Sequence, residues 1–295
     1  MSKFLVVQPK TAPLTVAQAI QEFLDRDWTP NTLRNYRSDL GRFEMAFGPR
    51  PVASITPSDI QSHLDGLKSR SGSAVSPATH NRHHASIQSL FSWLERQEEL
   101  DRSPMWKVDR RKMPERLPRP MTEEQLAGFF GNIKSRRDKA LFSLLHRSGV
   151  RVCEGLGLNI EDVNLRDRSL RVMGKGGAER VGYLAEKTVK LLRQYLRERG
   201  NPKTGPLFLS RQGRLGYAMA RVLFSGYAKG LPGEPVTIHQ LRHSFGSERA
   251  GKIDAMLLRD LMGHRSLRTT QQYARVNPEA ARKAFDAFDR QAATP

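Results

Sequence analysis

The chain has 295 residues, and its 49 Lys and Arg against 30 Asp and Glu give a formal net charge of +19. A hydrophobic content of 38% excludes a disordered chain, the apolar runs are shorter than the roughly 18 residues of a membrane span, and a single cysteine excludes an intrachain disulfide. We therefore expect a cytoplasmic protein of two domains whose partner is nucleic acid rather than a membrane.

Residues 1–13 show no clear pattern and are predicted to be a tail, whereas residues 14–102 are predicted to form a helical bundle. Three N-caps each precede a proline at the first helical position: Thr29-Pro30, Thr56-Pro57 and Ser76-Pro77. With a helix starting near Thr15, the apolar spacing predicts about four helices. Several basic residues lie off the apolar stripes and either form a solvated face or contact phosphates. Given the net charge, we favour phosphate contact for some of them: Arg34, Arg37, Arg70, Arg82, His83 and His84.

The composition changes between residues 103 and 120, where four prolines alternate with basic residues. Such a proline content argues against regular structure and predicts an extended, fairly stiff linker. Its positive charge predicts that it crosses a nucleic-acid backbone, with Arg110, Arg111 and Lys112 as candidate contacts. Two domains joined in this way can close around a duplex from opposite sides, as a C-shaped clamp.

A second domain, residues 121–277, is predicted to mix helices and strands. Thr122 caps its first helix, and the next helix is expected to end at Gly149, directly before Arg151. Residues 169–173 and 180–184 are β-type runs on either side of a glycine-rich turn, which predicts a hairpin with Lys175 near its tip. The spacing differs from that of a phosphate-binding P-loop, in which Ser or Thr follows the Lys. Further helices are expected over residues 185–199 and through Met219 to Tyr227.

Three short helices are predicted near the C-terminus. Thr237 and Gln240 form a capping-box pattern, so a helix is expected to start at Ile238 and to place His239 and Arg242 on one face. Asp254 is the predicted cap of a second helix, which ends near Gly263 and is followed directly by His264. Ser266 is the predicted cap of a third helix that carries Tyr273.

Arginine matches the geometry of phosphate oxygens, and it stays charged at physiological pH. A tyrosine hydroxyl is a poor nucleophile in water, but neighbouring cations favour its anionic form and thereby covalent attack. Each of these residues taken alone is more simply a packing or surface residue, and the combination with its spacing favours a site. Zinc bound by His239, His243 and His264 is a weaker hypothesis, because the helix lacks the Glu of an H-E-x-x-H motif and Arg242 would repel the ion.

The set His239-x-x-Arg242-His243, Gly263-His264 and, nine residues later, Tyr273 resembles the C-terminal signature of the tyrosine recombinases. These are the phage-integrase and Xer-type site-specific DNA recombinases. Upstream, the segment Ser148-Gly-Val-Arg-Val-Cys-Glu154 resembles the first arginine motif of the family, and Lys175 resembles its β-turn lysine. Residues 31–36 and 79–82 resemble the family's core-binding domain. Cys153 stands where the family commonly has a small residue, and we expect a packed side chain there.

The resemblance implies a fold that is mainly α with a small β-hairpin: an N-terminal SAM-like core-binding bundle followed by a mixed α/β catalytic domain. It also implies six catalytic residues: Arg151, Lys175, His239, Arg242, His264 and Tyr273. Tyr273 would attack a DNA phosphodiester and form a 3′-phosphotyrosyl link, with Arg151 and Arg242 on the non-bridging oxygens. In this scheme His239 is the general base toward Tyr273, His264 bonds an equatorial oxygen, and Lys175 is the general acid. His243 is expected to be structural, and Arg171 and Arg180 to follow the DNA backbone.

The mechanism that the resemblance implies uses no metal and no cofactor. Its partners are double-stranded DNA and further copies of the chain, four of which exchange strands through a Holliday junction, with a related recombinase or an accessory protein as a further option. The function is then DNA integration, excision or dimer resolution. The alternative is a type IB topoisomerase, which shares the covalent chemistry but acts as one protomer. Residues 278–295 are predicted to form a last helix that docks on a neighbouring protomer, or else folds back on its own domain.

Overall fold

A computed structural model describes residues 13–114, 117–174, 177–264 and 266–276, without the side chains of residues 268 and 274–276. The described residues separate into two compact units, one ending at residue 114 and the other beginning at residue 117. The first is helical, and the second adds two small sheets to its helices, so the predicted fold class is confirmed. Within the described ranges no helix is long and apolar enough to cross a lipid bilayer.

The first unit contains the four α-helices that the sequence predicts. Thr15 forms a capping box with Gln18, and the three predicted caps before proline each accept the backbone N–H three residues on. The helices are α1 (Val16–Leu24), α2 (Pro30–Phe47), α3 (Pro57–Asp65) and α4 (Pro77–Arg96). Their apolar faces meet in one core that includes Phe23, Leu40, Phe43, Phe91 and Leu94. Local capping and apolar spacing are therefore enough to define this bundle.

Two histidines that were predicted to lie on the basic surface of this unit are buried instead. His83 Nε2 lies 3.4 Å from the buried Asp39 carboxylate. His84 Nε2 donates to the Val108 carbonyl at 3.0 Å, and its Nδ1 accepts from Arg110 Nε at 3.3 Å. The prediction was wrong for this pair, because α2 and the chain after α4 cover the side of α4 on which they lie.

The predicted linker, residues 103–120, packs against both units through its described part. Its residues Pro104–Lys107 form one 3₁₀ turn, contrary to the expectation of no regular structure. Met105 and Val108 are buried in the core of the first unit, and the Arg111 N–H donates to the Asn81 side chain at 2.9 Å. From residue 117 the chain belongs to the second unit, where Arg119 pairs with Glu234. The prediction from proline content and positive charge did not account for these apolar contacts.

The second unit begins, as predicted, with Thr122 capping its first helix through Gln125, and Gly149 ends the next helix with a φ of 67°. Its larger core joins apolar residues between positions 121 and 241, among them Phe129, Leu141, Leu192 and Phe224, and a smaller cluster forms around Phe245 and Met262. The helices are α5 (Glu123–Asn132), α6 (Arg136–Ser148), α7 (Val152–Gly157), α8 (Glu186–Glu198), α9 (Tyr217–Ala228), α10 (His239–Arg249), α11 (Ala255–Met262) and α12 (Leu267–Val276).

The predicted hairpin is present and belongs to a three-stranded antiparallel sheet in the order β1 (Val163–Asn164), β2 (Ser169–Met173) and β3 (Glu179–Tyr183). β3 begins one residue earlier than predicted, with Val172 opposite Arg180. A second small sheet pairs β4 (Leu209–Ser210) with β5 (Gly213–Arg214). Lys175, at the predicted hairpin tip, and the predicted helix at 278–295 lie outside the described residues.

Candidate active site

The helix that carries His239 and Arg242, α10, starts at His239, one residue later than expected. Half of the predicted capping box forms, because the Thr237 N–H donates to Gln240 Oε1 at 2.6 Å. α11 follows with the predicted cap: Asp254 accepts from the N–H groups of Met256 and Leu257. α12 then begins directly after Ser266. Three short helices and the turns between them thus bring His239, His243, His264, Arg242 and Tyr273 into one short stretch of chain.

The C-terminal turn of α11 gathers three arginines that are far apart in sequence. The carbonyl of Leu261 accepts from Arg180 Nε at 3.4 Å, and that of Met262 accepts from Arg242 Nη2 at 2.6 Å. The next carbonyl, of Gly263, accepts from Arg151 Nη2 at 2.8 Å. The last carbonyls of a helix lack intrahelical donors and carry the negative end of its dipole. This turn therefore holds cations that would otherwise repel one another.

Gly263 makes this arrangement possible in two ways. Its φ of 63° is the left-handed conformation that ends α11. A Cβ at this position would also lie 2.9 Å from the Arg180 guanidinium carbon. Glycine therefore provides both the turn into His264 and the space for Arg180.

Glu154 supplies the counter-charge of the arginine cluster, and the sequence did not single it out. Its carboxylate receives two hydrogen bonds from Arg180, at 3.1 and 2.7 Å, and one from Arg151 Nη1 at 2.8 Å. Its side chain is 7% exposed and that of Arg180 15%. Burial alone would raise the pKa of Glu154, but the bonds from Arg180 and Arg151 lower it to about 2. The carboxylate thus stays charged at neutral pH.

His264 is held in its neutral form next to these arginines. Burial, and then the charges of Arg242 and Arg151, lower the pKa of its imidazole to about 4. Its Nδ1 lies 2.9 Å from the hydroxyl of Thr270, a buried residue of α12. The Thr270 contact occupies Nδ1 and orients the ring, so that the other nitrogen, Nε2, is available for a different partner.

Tyr273 is 3% exposed and packs between α10 and His264. Its ring is parallel to the His264 ring, with 4° between the planes and 6.1 Å between the centroids. On the other side, a Cβ at Gly246 would approach the tyrosine ring to 2.7 Å, so this helical position has to be glycine. The predicted nucleophile therefore lies beside a predicted catalytic histidine, as the resemblance implies.

The ionisation of Tyr273 differs from the expectation that cations would favour its anionic form. Burial raises the pKa of the phenol above its ordinary value, and the charge of Arg242 offsets this rise only in part. In the protein without DNA the hydroxyl is thus protonated at neutral pH. Attack by this oxygen requires a proton acceptor.

The imidazole that contacts the tyrosine hydroxyl is His243 and not His239. His243 Nδ1 lies 3.1 Å from Tyr273 Oη, whereas His239 is exposed and its Nε2 lies 3.4 Å from the hydroxyl of Tyr217. The structure thus places His243, which was predicted to be structural, and not His239, the predicted base, at the tyrosine hydroxyl. Over residues 13–114, 117–174, 177–264 and 266–276 no group of three acidic, His or Cys side chains could hold a metal ion.

The arginines and the lysine predicted to contact DNA differ in their surroundings. Arg34, Arg37 and Lys112 are exposed. The others bond to protein groups: Arg82 to Asp39, Arg110 to Gln88, Arg111 to Asp65, Arg171 to Asp162 and Arg180 to Glu154. Arg180, 15% exposed, is the most enclosed of the ion-paired arginines among them, since Arg111, Arg82 and Arg171 are 32%, 44% and 55% exposed. Cys153, expected to be packed, is exposed.

Replacing Glu154 with Gln is expected to lower the free energy of unfolding of the second unit, because Arg151 and Arg180 would keep their charges and lose their counter-ion. Removing one partner of a buried pair costs about 3 to 5 kcal/mol; we expect a loss of at least about 2 kcal/mol, since the Arg151 side chain is 45% exposed. Because the pKa of Glu154 is lowered, its contribution is complete above pH 4.5 and is lost as the pH falls toward about 2.

Urea unfolding of the wild type and of Glu154→Gln between pH 7 and pH 3 measures the difference in their free energies of unfolding. This difference should become smaller as the pH falls. The matched control is Glu186→Gln, which removes an exposed partner of Lys190 and should change stability much less, because solvent screens an exposed ion pair. Equal effects of the two substitutions would contradict the role given to Glu154.

Comparisons with known proteins agree with this architecture. The profile of the phage integrase family matches residues 119–280, and that of its N-terminal SAM-like domain matches residues 21–98. The tyrosine recombinase XerC of Pelobacter propionicus is 31% identical over 92% of this chain and 93% of its own. XerC of Myxococcus xanthus is 32% identical over 88% and 91%. The solved structure of the XerH recombinase on a difH substrate aligns with a TM-score of 0.69 at 22% identity, over 93% and 85%.

This fold and these relatives define the class of the protein as an enzyme that breaks and rejoins DNA. The chain belongs to the phage integrase family, the tyrosine recombinases. Its activity is site-specific recombination, and the topoisomerase alternative is not favoured.

Proposed function

We propose that Tyr273 is the nucleophile that attaches this recombinase to DNA through a 3′-phosphotyrosyl bond. The observation that carries this assignment is the convergence of Tyr273 with His264, Arg242 and Arg151 around one helix end. Tyr273 lies against His264, and both arginines donate to the two carbonyls directly before His264. A hydroxyl beside neutral imidazoles and fixed guanidinium groups suits attack on a phosphodiester.

Arg151 and Arg242 are proposed to bind the non-bridging oxygens of the scissile phosphate. Each uses donors of its Nη atoms to hold backbone or carboxylate oxygens, and a guanidinium has five N–H donors in all. The remaining donors can face a phosphate without any change in the position of the group. Donors fixed before the reaction stabilise the developing charge at little reorganisation cost.

We also assign the two predicted catalytic histidines, His264 and His239, to contacts with DNA phosphates. In the tautomer in which the Thr270 hydroxyl donates to His264 Nδ1, the Nε2–H of His264 is a donor for an equatorial oxygen. His239 is exposed at the start of α10, beside Tyr217, where it can meet the DNA backbone. Lys175, which lies outside the described residues, is kept as the proposed general acid on the strength of the family resemblance.

The proposed partner is double-stranded DNA, bound by a homotetramer on two paired sites. Solved relatives on DNA, such as XerH on difH and the lambda integrase dimer on a core site, share this fold. We propose that residues 13–114 form the core-binding domain and that the second unit is the catalytic domain. Exposed basic residues of the first, such as Arg34 and Arg37, would contact phosphates, and strand exchange would pass through a Holliday junction.

The test is covalent trapping on a nicked duplex, from which the cleaved strand diffuses away. Wild-type protein should form an adduct that survives denaturant, and peptide mapping should place it on Tyr273. Two duplexes that carry the same site should also exchange strands, which separates a recombinase from a topoisomerase. Relaxation of supercoiled DNA without strand exchange would contradict the proposal.

Adduct formation is expected to persist in EDTA, because arginines supply the charge that a metal ion would otherwise supply. DNA binding should fall steeply with salt, since each neutralised phosphate releases counter-ions. Both are measured with the nicked duplex over a salt series, with and without chelator. Loss of cleavage in EDTA that zinc or magnesium restores would contradict the proposed mechanism.

A further inference from the structure

Among the residues that the structure describes, the hydroxyl of Tyr273 has one hydrogen-bond partner, the imidazole of His243. The distance from Oη to Nδ1 is 3.1 Å, and the ring centroids lie 6.0 Å apart with 44° between the planes. Tyr273 is almost completely buried, so this contact is sheltered from bulk water. A hydrogen bond at the oxygen that reacts is a direct geometric criterion for an acid–base group.

Helix packing explains why His243 occupies this place. Positions 243 and 246 are three residues apart and share one face of α10. The tyrosine ring lies on Gly246, where any Cβ would collide with it, and from there its hydroxyl reaches the next turn toward the N-terminus. The contact thus follows from the crossing of α12 over α10 at a glycine.

The chemistry of the site requires such a partner. Burial raises the pKa of the Tyr273 phenol, so the hydroxyl keeps its proton until attack begins. Burial, and then the charges of His239 and Arg242, lower the pKa of the His243 imidazole below its ordinary value. His243 is therefore neutral at pH 7, and with its proton on Nε2 its Nδ1 carries a lone pair directed at the phenol.

We propose that His243 is a catalytic residue of the cleavage step: its Nδ1 accepts the proton of the Tyr273 hydroxyl as that oxygen attacks the DNA phosphorus. The Oη–P bond forms while the bond from phosphorus to the 5′ oxygen breaks, and the leaving oxygen takes a proton from the general acid. On rejoining, the imidazolium returns its proton to the tyrosine oxygen. The proposal rests on the proposed function, with Tyr273 as nucleophile, and transfers to His243 the role that the resemblance assigned to His239.

Two substitutions separate proton transfer from positioning. His243→Ala removes the contact, whereas His243→Asn keeps an acceptor oxygen for the hydroxyl but cannot take up a proton at neutral pH. We expect single-turnover cleavage of the nicked duplex to fall by about 100-fold or more in both, the usual scale for a lost general base. Thermal unfolding and binding to the intact duplex report whether each variant remains folded.

The nucleophile itself provides a readout that a structural role would not change. Fluorotyrosine at position 273 lowers the pKa of the phenol and should restore much of the cleavage by His243→Ala while changing the wild type little. In the wild type the rate should fall as the pH drops and His243 becomes protonated. That limb should be absent in His243→Ala, although His239, Arg242, His264 and Tyr273 also face this imidazole and shift its midpoint.

The outcomes separate the two levels of the hypothesis. If wild-type protein forms no adduct on Tyr273, the nucleophile assignment fails, and with it the role of His243. If the adduct forms on Tyr273 but His243→Asn reacts as fast as wild type, His243 only positions the hydroxyl and the general-base proposal is wrong. Cleavage by His243→Ala within about threefold of wild type, or no gain from fluorotyrosine, overturns it as well.

Discussion

Tyr273→Phe protein is expected to bind its DNA site as tightly as the wild type and to form no covalent adduct with a nicked duplex. The substitution removes only the hydroxyl oxygen, whereas the ring keeps its place against Gly246 and His264. Without that oxygen there is no acceptor for the phosphoryl group, so cleavage should fall below detection. Denaturing gel electrophoresis of labelled DNA measures the adduct, and gel shift measures binding.

Tyr183→Phe is the matched control, because Tyr183 is 60% exposed on β3 and the substitution removes the same atom. It should form the adduct at the wild-type rate. The sequence has six tyrosines, so an adduct that persists in Tyr273→Phe would show that another tyrosine is the nucleophile.

Arg151→Ala is expected to lower the cleavage rate constant by at least about 1000-fold with a much smaller effect on DNA affinity. Fixed cations on a phosphoryl group in its transition state contribute on this scale. Arg151→Lys should recover little of the loss, because one ammonium group cannot hold Glu154 and the Gly263 carbonyl while it also bonds a phosphate.

Single-turnover cleavage at saturating protein measures the rate constant without interference from binding. Arg136→Ala is the matched control, since Arg136 is an exposed arginine of the same unit whose nearest acidic group, on Glu198, is 3.8 Å away. A similar fall of the rate in both variants would point to general loss of charge. An Arg151→Ala rate within tenfold of wild type would contradict the proposal that Arg151 binds the scissile phosphate.

Local features of the chain were predictable because they depend on neighbouring residues. The caps at Thr29, Thr56, Ser76 and Thr122 depend on a side-chain oxygen that bonds an N–H three residues on. The left-handed glycine that ends α6 is a property of one residue and its position after an apolar stripe. Such signals are readable without any knowledge of the tertiary structure.

The surroundings of a residue could not be predicted where they come from a distant segment. His83 and His84 were expected at the surface and are covered by α2 and by the chain around Val108. Arg180, which was predicted to follow the DNA backbone, bonds the carboxylate of Glu154, 26 residues away in the sequence. The basic character of a side chain does not show whether its counter-charge is a phosphate or a buried carboxylate.

The sequence by itself determined the two-domain helical fold and the family, and it predicted a set of candidate site residues from Arg151 to Tyr273, because spacing and capping are local properties. Only the tertiary structure decided which of these residues contact one another. It placed three arginines on successive carbonyls of one helix end, with Glu154 between two of them. It also turned His243 rather than His239 toward Tyr273. The reason is that the crossing of α12 over α10 depends on a glycine and on packing between segments about 30 residues apart, which helical periodicity does not encode.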